Sequence, residues 1–396
     1  MIPYGRQDIV QEDVDAVAAV LRSEFLTQGP AVPAFEKSVC EYVGAKYGVA
    51  VNSATSALHI ACMALGLGPG DVLWTVPITF LASANCARYC GADVDFVDID
   101  RVTRNMSVTA LADKFERAAR AGRLPKIVMP VHFTGRPCEM EPIRALCRRY
   151  GAAVIEDASH AIGARLGDSV IGDCAFSDIT VFSFHPVKIV TSAEGGMAMT
   201  NDAELARRMQ LARSHGMERD PERFTEAPEG NWIYEMQSLG FNYRMTDMQA
   251  ALGLSQMRRI DAFISARTAL AVRYNELLAD LPVVRPSPLV GMTSAWHLYV
   301  IELDAPGKSR GEVFATLRAE GIGVAVHYIP VHVQPYYRAL GFAPGDFPAS
   351  ERYYARALSL PMFPALDSDR LSEVLRGVRK ALDLGAGSLA ARADGA

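Results

Sequence analysis

Short apolar runs alternate with longer amphipathic stretches through the first half of the chain. The runs hold four to six residues each and occupy positions 48–51, 72–76, 94–97, 126–131, 152–155 and 179–182. Most are separated by ten or more residues in which apolar positions recur at helical spacing. Continuous apolar runs are typical of strands covered on both faces, and helices between them favour parallel pairing. The pattern therefore predicts an α/β fold with a large, mostly parallel sheet.

The segments on either side of this region have different patterns. Two helices are predicted at positions 14–21 and 35–43, before the first strand. Residues 246–281 keep helical spacing throughout, with Thr246 and Asp247 as the expected cap. A strand at 297–303, a helix at 309–320, a strand at 324–328 and closing helices then follow. This second half predicts a long linking helix and a small C-terminal α+β domain.

These patterns divide the chain into three expected parts. Residues 1–250 would form the large α/β domain together with an N-terminal segment, and residues 251–383 the linking helix and the small domain. The last part, 384–396, is rich in Gly and Ala and is expected to be a flexible tail.

Composition and charge exclude several classes of protein. Half of the 396 residues are apolar, and 40 Lys and Arg stand against 45 Asp and Glu without a basic block, which argues against nucleic acid as a partner. No apolar run reaches the roughly 18 residues of a membrane span, and the first residues lack a signal-peptide layout. The seven cysteines include no Cys-x-x-Cys pair and indicate reduced core residues. We therefore expect a cytoplasmic, globular enzyme without a metal.

Polar residues follow three of the predicted strands, at the sheet edge where open parallel sheets bind ligands. The first group, Asn52-Ser53-Ala54-Thr55-Ser56, stands where a strand ends and an apolar helix begins. Unpaired N–H groups, hydroxyls and the positive end of the helix dipole suit a phosphate group. Ser and Thr are also the ordinary residues that cap a helix, so a purely structural role stays open.

Two adjacent carboxylates, Glu156 and Asp157, follow the predicted strand at 152–155. Neighbouring residues of a strand point to opposite faces, so one carboxylate is expected to face inward and the other outward. An inward carboxylate needs a cationic partner, because an unpaired buried charge is very costly. The alternation alone does not say which of the two is inward.

The third group contains Lys188, six residues beyond the strand at 179–182 and inside apolar sequence that leads to Gly195-Gly196. Desolvation would lower the pKa of this lysine and expose a nucleophilic amine, although a lysine can also extend to the surface. A phosphate cup, a carboxylate that keeps a pyridine nitrogen protonated and a desolvated lysine are together what pyridoxal 5′-phosphate (PLP) requires of a protein.

At this point the sequence resembles the sugar aminotransferases of the DegT/DnrJ/EryC1/StrS group, from about residue 2 to residue 383. The matching motifs, in order and spacing, are TQGP at 27–30, NSATSAL at 52–58, TFLASAN at 79–85, EDASHA at 156–161, SFHPVK at 183–188, EGG at 194–196, GFNYRM at 240–245 and HYIP at 327–330. The resemblance implies the type I fold of PLP-dependent transferases, that of aspartate aminotransferase.

The resemblance also implies a role for each matching residue around the cofactor. Lys188 would hold PLP through its side-chain amine, and Asp157 would pair with the pyridine nitrogen. Phe80 would stack on the ring, and His160 would lie near the 3′-oxygen. Lysine at position 188 disfavours a related subgroup of dehydratases, in which histidine replaces it.

The phosphate contacts complete what the resemblance implies. Ala54, Thr55 and Ser183 would bind the PLP phosphate within one subunit. Asn242 in this family reaches the phosphate of the neighbouring subunit's cofactor, which implies an obligate homodimer.

One departure from the family pattern points to a branch. Ala193 stands where most members have glycine before the EGG motif. The sequence around Ala193 resembles that of the branch which makes pseudaminic acid precursors. These precursors are used in flagellin glycosylation. That branch uses L-glutamate to aminate C4 of UDP-4-keto-6-deoxy-N-acetyl-β-L-altrosamine. The implied partners are therefore a UDP-ketosugar and L-glutamate.

Two other functions and the sugar contacts stay open. Another 3-keto or 4-keto nucleotide sugar, or a keto-cyclitol, could be the substrate of a same-family aminotransferase. A PLP-binding regulator without turnover is a more remote alternative. Polar aromatic residues at domain junctions often contact a sugar or nucleotide, and Tyr4, His327 and Tyr328 are the candidates, with structural packing as the alternative role for each.

Overall fold

The computed structural model describes residues 1–384 of the chain. Its strands are β1 (Tyr47–Val51), β2 (Val72–Thr75), β3 (Asp93–Phe96), β4 (Ile127–Val128), β5 (Ala153–Asp157), β6 (Arg165–Leu166), β7 (Ser169–Val170), β8 (Ile179–Ser183), β9 (Gly196–Thr200), β10 (Met217–Glu218), β11 (Glu235–Met236), β12 (Val283–Val284), β13 (Met292–Thr293), β14 (Tyr299–Leu303) and β15 (Ala357–Leu360). A seven-stranded sheet in the order β1-β9-β8-β5-β4-β2-β3 forms the centre. All its neighbouring strands are parallel except that β9 is antiparallel to both β1 and β8. The prediction of a large, mostly parallel sheet is confirmed.

Helices cover both faces of this sheet. Those within the described residues are α1 (Gln11–Leu21), α2 (Ala31–Val43), α3 (Ala54–Ala64), α4 (Ala82–Tyr89), α5 (Val108–Ala121), α6 (Met140–Tyr150), α7 (Ala203–Arg213), α8 (Asp247–Met257), α9 (Ile260–Leu277), α10 (Arg310–Ala319), α11 (Pro335–Arg338), α12 (Pro348–Arg356) and α13 (Ser368–Ala381). Leu73, Ile127 and Ile155 pack in one core with α3 and α4, whereas Trp74 and Val128 pack in another with α5 and α6. Successive strand residues thus alternate between two buried layers, which is why the strands read as continuous apolar runs.

A second, smaller sheet lies in the C-terminal part. Strands β12, β14 and β15 pair antiparallel in the order β12-β14-β15. Helices α10 and α13 pack on it around a separate apolar core that also contains Ile2. The N-terminus enters this part because Ile2 forms a parallel bridge with Ile322. The limits proposed for the domains, 1–250 and 251–383, stay a prediction, and the tail predicted at 384–396 lies outside the described residues apart from Leu384.

Two predicted elements differ from the structure. The single helix predicted over 246–281 is two helices, α8 and α9, because the backbone leaves the helical region at Arg259, with φ −111° and ψ 6°. The Thr246 cap is confirmed, since its hydroxyl accepts from the Gln249 N–H. The strand predicted over 324–328 is wrong: Ala325 makes an isolated bridge with Ser359, and the chain then turns toward the large sheet.

Candidate active site

A cavity of about 790 Å³ opens at the carboxyl ends of β5 and β8, against the start of α3. It is lined by ten of the eleven residues that the sequence assigned to the site. The eleventh, Asn242, is exposed and is not part of this lining. The three groups that follow strands in the sequence, at 52–56, 156–157 and 188, thus contribute to the lining of one cavity.

A close backbone approach builds one wall of the cavity. Gly196 of β9 lies opposite Val51 of β1 on one side and opposite Ser183 of β8 on the other. A Cβ atom at Gly196 would stand 2.5 Å from the amide nitrogen of Ala54. Only glycine permits this contact, and it brings the start of α3 beside the end of β8.

The start of α3 offers unpaired backbone donors to the cavity. Ser53 caps the helix, and its hydroxyl oxygen accepts from the Ser56 N–H at 3.1 Å. The N–H groups of the first two helical residues, Ala54 and Thr55, have no acceptor within the helix. With the positive end of the helix dipole, these donors suit a phosphate group.

The two carboxylates at the end of β5 face different surroundings. Asp157 lines the cavity, where its carboxylate accepts from the hydroxyls of Ser83 and Ser159, both at 2.6 Å. Glu156 points the other way and lies 2.7 Å from His132 Nε2. Because His132 Nδ1 accepts from the Cys138 N–H, the ring carries its proton on Nε2 and donates it to Glu156. Asp157 is thus the carboxylate available to a ligand.

Lys188 lies on a loop that is closed at its base by hydrogen bonds. The Phe184 N–H donates to the Gly195 carbonyl, and the Ser192 N–H donates to the Phe184 carbonyl, both at 2.9 Å. Burial lowers the pKa of Lys188 to about 8, against the opposing effect of the Asp157 charge. The alternative of a lysine extended into solvent does not hold, since the side chain lines the cavity.

Ala193, the departure from the family pattern, lies on the same loop. Its φ of +65° is in the left-handed region that favours glycine. The Ala193 N–H donates to the Thr191 hydroxyl at 3.0 Å, which helps to hold this conformation.

A group of aromatic side chains forms the opposite wall. The Tyr328 hydroxyl lies 3.2 Å from His160 Nε2, and His327 Nδ1 lies 2.7 Å from the Ser359 hydroxyl. The ring of Tyr4 is 5.5 Å from that of His327. Burial, with Lys188 nearby, lowers the pKa of His327 to about 3 and holds the pKa of His160 well below its usual value. Both rings are therefore neutral at physiological pH.

Phe80 stands at the mouth of the cavity. It remains 58% exposed although it is a large apolar side chain, and its ring is 6.2 Å from that of Tyr328. An exposed aromatic face at a cavity mouth is well placed to pack on a flat ligand.

Two polar residues of this cavity, His297 and Gln249, lie outside every motif that the sequence analysis singled out. His297 is buried, with its ring 4.4 Å from that of His160. It precedes β14 and carries no motif, so nothing near it in the chain marks it as a site residue. Gln249 is visible in the sequence only as the partner of the Thr246 cap.

The residues present fit PLP. The donors at the start of α3 match a phosphate, Asp157 matches a protonated pyridine nitrogen, and Lys188 supplies the amine. The Nδ1 atom of His160 is buried without a partner, as expected of a polar atom beside a polar ligand.

Among residues 1–384, no group of three or more His, Cys, Asp or Glu has a metal-binding arrangement. No helix in that range is both long enough and apolar enough to span a bilayer.

Comparison with known proteins gives the family. The DegT/DnrJ/EryC1/StrS aminotransferase family matches residues 7–379. The spore coat polysaccharide biosynthesis protein SpsC of Bacillus subtilis is 39% identical over 384 residues, which cover 96% of each chain. The solved structure of Helicobacter pylori PseC, an aminotransferase involved in the biosynthesis of pseudoaminic acid, is 31% identical with a TM-score of 0.87 and covers 96% of this chain and 99% of PseC.

A third similar structure is the PLP form of Spr1654, a sugar aminotransferase from Streptococcus pneumoniae. It is 25% identical, with a TM-score of 0.86, and covers 96% of this chain and 98% of Spr1654. These likenesses extend over almost the whole chain and agree with the cavity described above. The chain belongs to the DegT/DnrJ/EryC1/StrS family and is a PLP-dependent sugar aminotransferase.

Proposed function

We propose that this enzyme moves the amino group of L-glutamate to C4 of UDP-4-keto-6-deoxy-N-acetyl-β-L-altrosamine, a step of pseudaminic acid biosynthesis. The observation that carries transamination is the single cavity that gathers Lys188, Asp157 and the start of α3. The choice of sugar is supported by the likeness to PseC over 96% of this chain and by the sequence around Ala193.

Lys188 and Asp157 carry the chemistry in this proposal. PLP, when bound, supplies an electron sink that lets an amino group move between an amino acid and a ketone. Lys188 Nζ has a pKa of about 8, so near pH 8 its amine is half neutral and can take and return a proton. Asp157, oriented by Ser83 and Ser159, would hold a proton on the pyridine nitrogen.

The remaining cofactor contacts are proposed from their places in the cavity. Ala54, Thr55 and Ser183 would bind the phosphate at the wall built around Gly196. Phe80 would stack on the ring from the cavity mouth, and His160 would lie beside the 3′-oxygen.

The sugar would contact the aromatic wall formed by Tyr4, His327 and Tyr328. These side chains line the cavity and are neutral at physiological pH, because burial lowers the pKa of His327 and raises those of Tyr4 and Tyr328. Neutral donors and aromatic faces suit the hydroxyls and apolar faces of a sugar ring.

We also propose that the enzyme works as a homodimer in which Asn242 reaches the neighbouring cavity. Asn242 is exposed and is absent from its own chain's cavity wall, as this role requires. Trp232 and Leu239, in the segment just before it, are 74% and 71% exposed. Large exposed apolar side chains in one segment are typical of an interface.

A cytoplasmic location is part of the same proposal. All seven cysteines are free thiols, which suits a reducing compartment. The nucleotide-sugar substrate would be met in the same compartment.

The decisive experiment tests substrate and site together. Purified enzyme is incubated with L-glutamate and a panel of UDP- and dTDP-ketosugars that includes the product of a UDP-N-acetylglucosamine 5-inverting 4,6-dehydratase, and the amino sugar is identified by NMR. We expect amination at C4 of the altro-configured sugar and formation of 2-oxoglutarate. A visible band of bound PLP without any amino sugar would instead support a regulator.

Variants of the two central residues accompany this assay. We expect Lys188→Ala to abolish turnover and Asp157→Ala to lower it by at least about a hundredfold, with the fold intact by circular dichroism. Lys37→Ala, an exposed lysine on α2, serves as the control and should keep full activity. Turnover of Lys188→Ala at the wild-type rate would contradict the assignment of the site.

A second substrate class follows from the likeness to SpsC, a spore coat polysaccharide biosynthesis protein that is 39% identical. If the panel shows amination of a different 3-keto or 4-keto nucleotide sugar, the enzyme serves another sugar and the pseudaminic acid proposal is wrong. The roles of Lys188 and Asp157 would stand in either case.

A further inference from the structure

A buried arginine without a counter-charge lies behind the cavity wall. Arg267 of α9 is 1% exposed, and no carboxylate within residues 1–384 lies within ion-pairing distance of it. Burial lowers its pKa only to about 10, so it is charged at neutral pH. A buried, unpaired charge is costly, and it persists where its hydrogen bonds hold something in place.

The guanidinium joins two segments of chain. Its Nη1 donates to the carbonyls of Trp296 at 3.2 Å, His297 at 3.3 Å and Met362 at 3.0 Å. The first two carbonyls belong to the segment that enters β14, and the third follows β15. Arg267 thus anchors the 296–297 backbone to a fixed point of the small sheet.

That backbone is held in an unfavourable conformation. Trp296 has a φ of +49°, in the left-handed region that bulky residues rarely adopt. On its other side it packs against Gly135, where a Cβ atom would stand 2.8 Å from the Trp296 nitrogen and 3.1 Å from that of His297. Such strain persists only where the surroundings enforce it, and it is concentrated at functional sites.

This strained turn places the His297 ring at the cavity wall. Its Nδ1 is buried without a partner, like that of His160, and the residue lines the cavity. Burial, together with the charges of Lys188 and Arg267, holds the pKa of His297 well below its usual value. The ring is a neutral polar group in close contact with His160.

We infer that Arg267 is a positioning residue that fixes the strained 296–297 turn, and that His297 is a further polar residue of the active site placed by it. The inference rests on transamination in this cavity and is independent of which ketosugar is the substrate. His297 would hydrogen-bond an oxygen of the amino donor beside Lys188.

The test follows the first half-reaction of the PLP-loaded enzyme with L-glutamate by the change in visible absorbance. Arg267→Lys, which keeps the charge but is one bond too short to reach the position of Nη1, and His297→Ala should each lower the maximal rate at least about tenfold. The dissociation constant for PLP should stay within about twofold in both, because the phosphate wall around Gly196 is untouched. Arg273→Met, an exposed residue of the same helix paired with Glu276, is the matched control and should behave as wild type.

The double variant separates positioning from general damage. If Arg267 acts through His297, adding Arg267→Lys to His297→Ala lowers the rate by no more than about twofold further. The inference is overturned if the losses of rate caused by the two substitutions multiply in the double variant. It is also overturned if folded Arg267→Lys reacts at the wild-type rate. If wild type itself does not react with L-glutamate, the proposed donor is wrong, and the same comparison is made with whichever amino acid does react.

A second measurement is independent of activity. In histidine-labelled protein, an NMR cross-peak should connect the rings of His160 and His297, which are 4.4 Å apart. We expect Arg267→Lys to weaken or remove it while Arg273→Met keeps it. An unchanged cross-peak in Arg267→Lys would show that the arginine does not place the ring.

Discussion

At the residue scale, the shifted pKa of Lys188 links stability to pH. An amine whose pKa falls from 10.5 to about 8 on folding binds a proton more weakly in the folded chain than in the unfolded one. Stability of the cofactor-free protein therefore rises with pH between about 8 and 10.5, and the cost of burying the charge is fully present below pH 8.

We expect Lys188→Met to remove this cost. At pH 7 the cofactor-free variant should be more stable than the wild type by up to about 3 kcal/mol, and the difference should vanish by about pH 10.5. Urea unfolding over this pH range measures it. Lys37→Met is the control and should show a difference that does not change with pH. A Lys188→Met protein less stable than wild type at pH 7 would contradict the prediction.

Two half-buried thiols also differ in their environment. A hydrogen bond from Cys62, with His59 nearby and against the effect of burial, lowers the pKa of Cys90 to about 6. Burial, with Glu36 and Glu41 nearby, raises the pKa of Cys40 to about 11. Of these two thiols, Cys90 is therefore the one that is mainly a thiolate at neutral pH.

We therefore expect iodoacetamide to label Cys90 first. At pH 7.5 its rate should exceed that of Cys40 by at least about tenfold, and it should fall as the pH drops below 6, because the thiolate is the reactive form. Peptide mass spectrometry locates the label. Cys90→Ser should remove the fast phase and Cys40→Ser should leave it; labelling of Cys40 first would refute the assignment.

The sequence indicated residues that line the cavity where suitable chemistry and strand ends coincide. Asp157 and Ser183 close buried strands, and Lys188 stands out as a charge within apolar sequence. His297 could not be found this way, because its place depends on Arg267 and Gly135, which are 30 and 162 residues away in the chain. Contacts of that kind leave no local pattern.

At the scale of elements, the break between α8 and α9 shows why periodicity misplaced a helix. Arg259 leaves the helical conformation, and its guanidinium bonds Asp8 and Asp13, both at 2.6 Å. Asp13 lies on α1 and also accepts from the Gln256 side chain at 2.7 Å. The apolar spacing continues across the break, so only this tertiary contact marks it.

The same contact should hold α1 against the junction of α8 and α9. Asp13 is 1% exposed, so replacing it with Asn leaves the Arg259 charge without its buried partner. We expect Asp13→Asn to lower the free energy of unfolding by about 2–4 kcal/mol, measured in urea. Asp15→Asn, on the exposed side of α1, is the control and should cost less than about 0.5 kcal/mol. Equal effects of the two variants would mean that the pair contributes little.

The strand predicted at 324–328 is likewise absent because of tertiary contacts. Its alternating apolar residues suit a strand, but Ala325 finds only a bridge to Ser359. Beyond it, His327 binds the Ser359 hydroxyl and Tyr328 binds His160, so side-chain contacts with the cavity replace a backbone ladder. Functional positions commonly override local preference in this way.

At the scale of the whole molecule, the proposed dimer makes a prediction that no single chain can satisfy. If Asn242 serves the neighbouring cavity, a mixed dimer of Lys188→Ala and Asn242→Ala chains contains one site with both residues intact. Each variant alone should be inactive or nearly so, and mixing them under subunit exchange should restore activity, up to about a quarter of the wild-type level in a statistical mixture.

Two controls complete this complementation assay. Mixing Lys188→Ala with Asp157→Ala should restore nothing, because both residues line the cavity of their own chain. Sedimentation of the wild type should give a dimer. Differently tagged chains show whether subunits exchange. If they exchange and the mixture of Lys188→Ala with Asn242→Ala regains no activity, Asn242 does not serve the neighbouring site.

The first residues of the chain have a practical consequence for anyone who handles this enzyme. The Ile2 N–H donates to the Gly321 carbonyl, and the Gly323 N–H donates back to the Ile2 carbonyl, so this end is docked like an added strand. Tyr4 follows directly and lines the cavity. Proteolytic trimming or a bulky fusion at this end would therefore damage the cavity wall that we propose to bind the sugar, even though it lies far in sequence from Lys188. Preparations should be checked for an intact start before a weak activity is attributed to the wrong substrate.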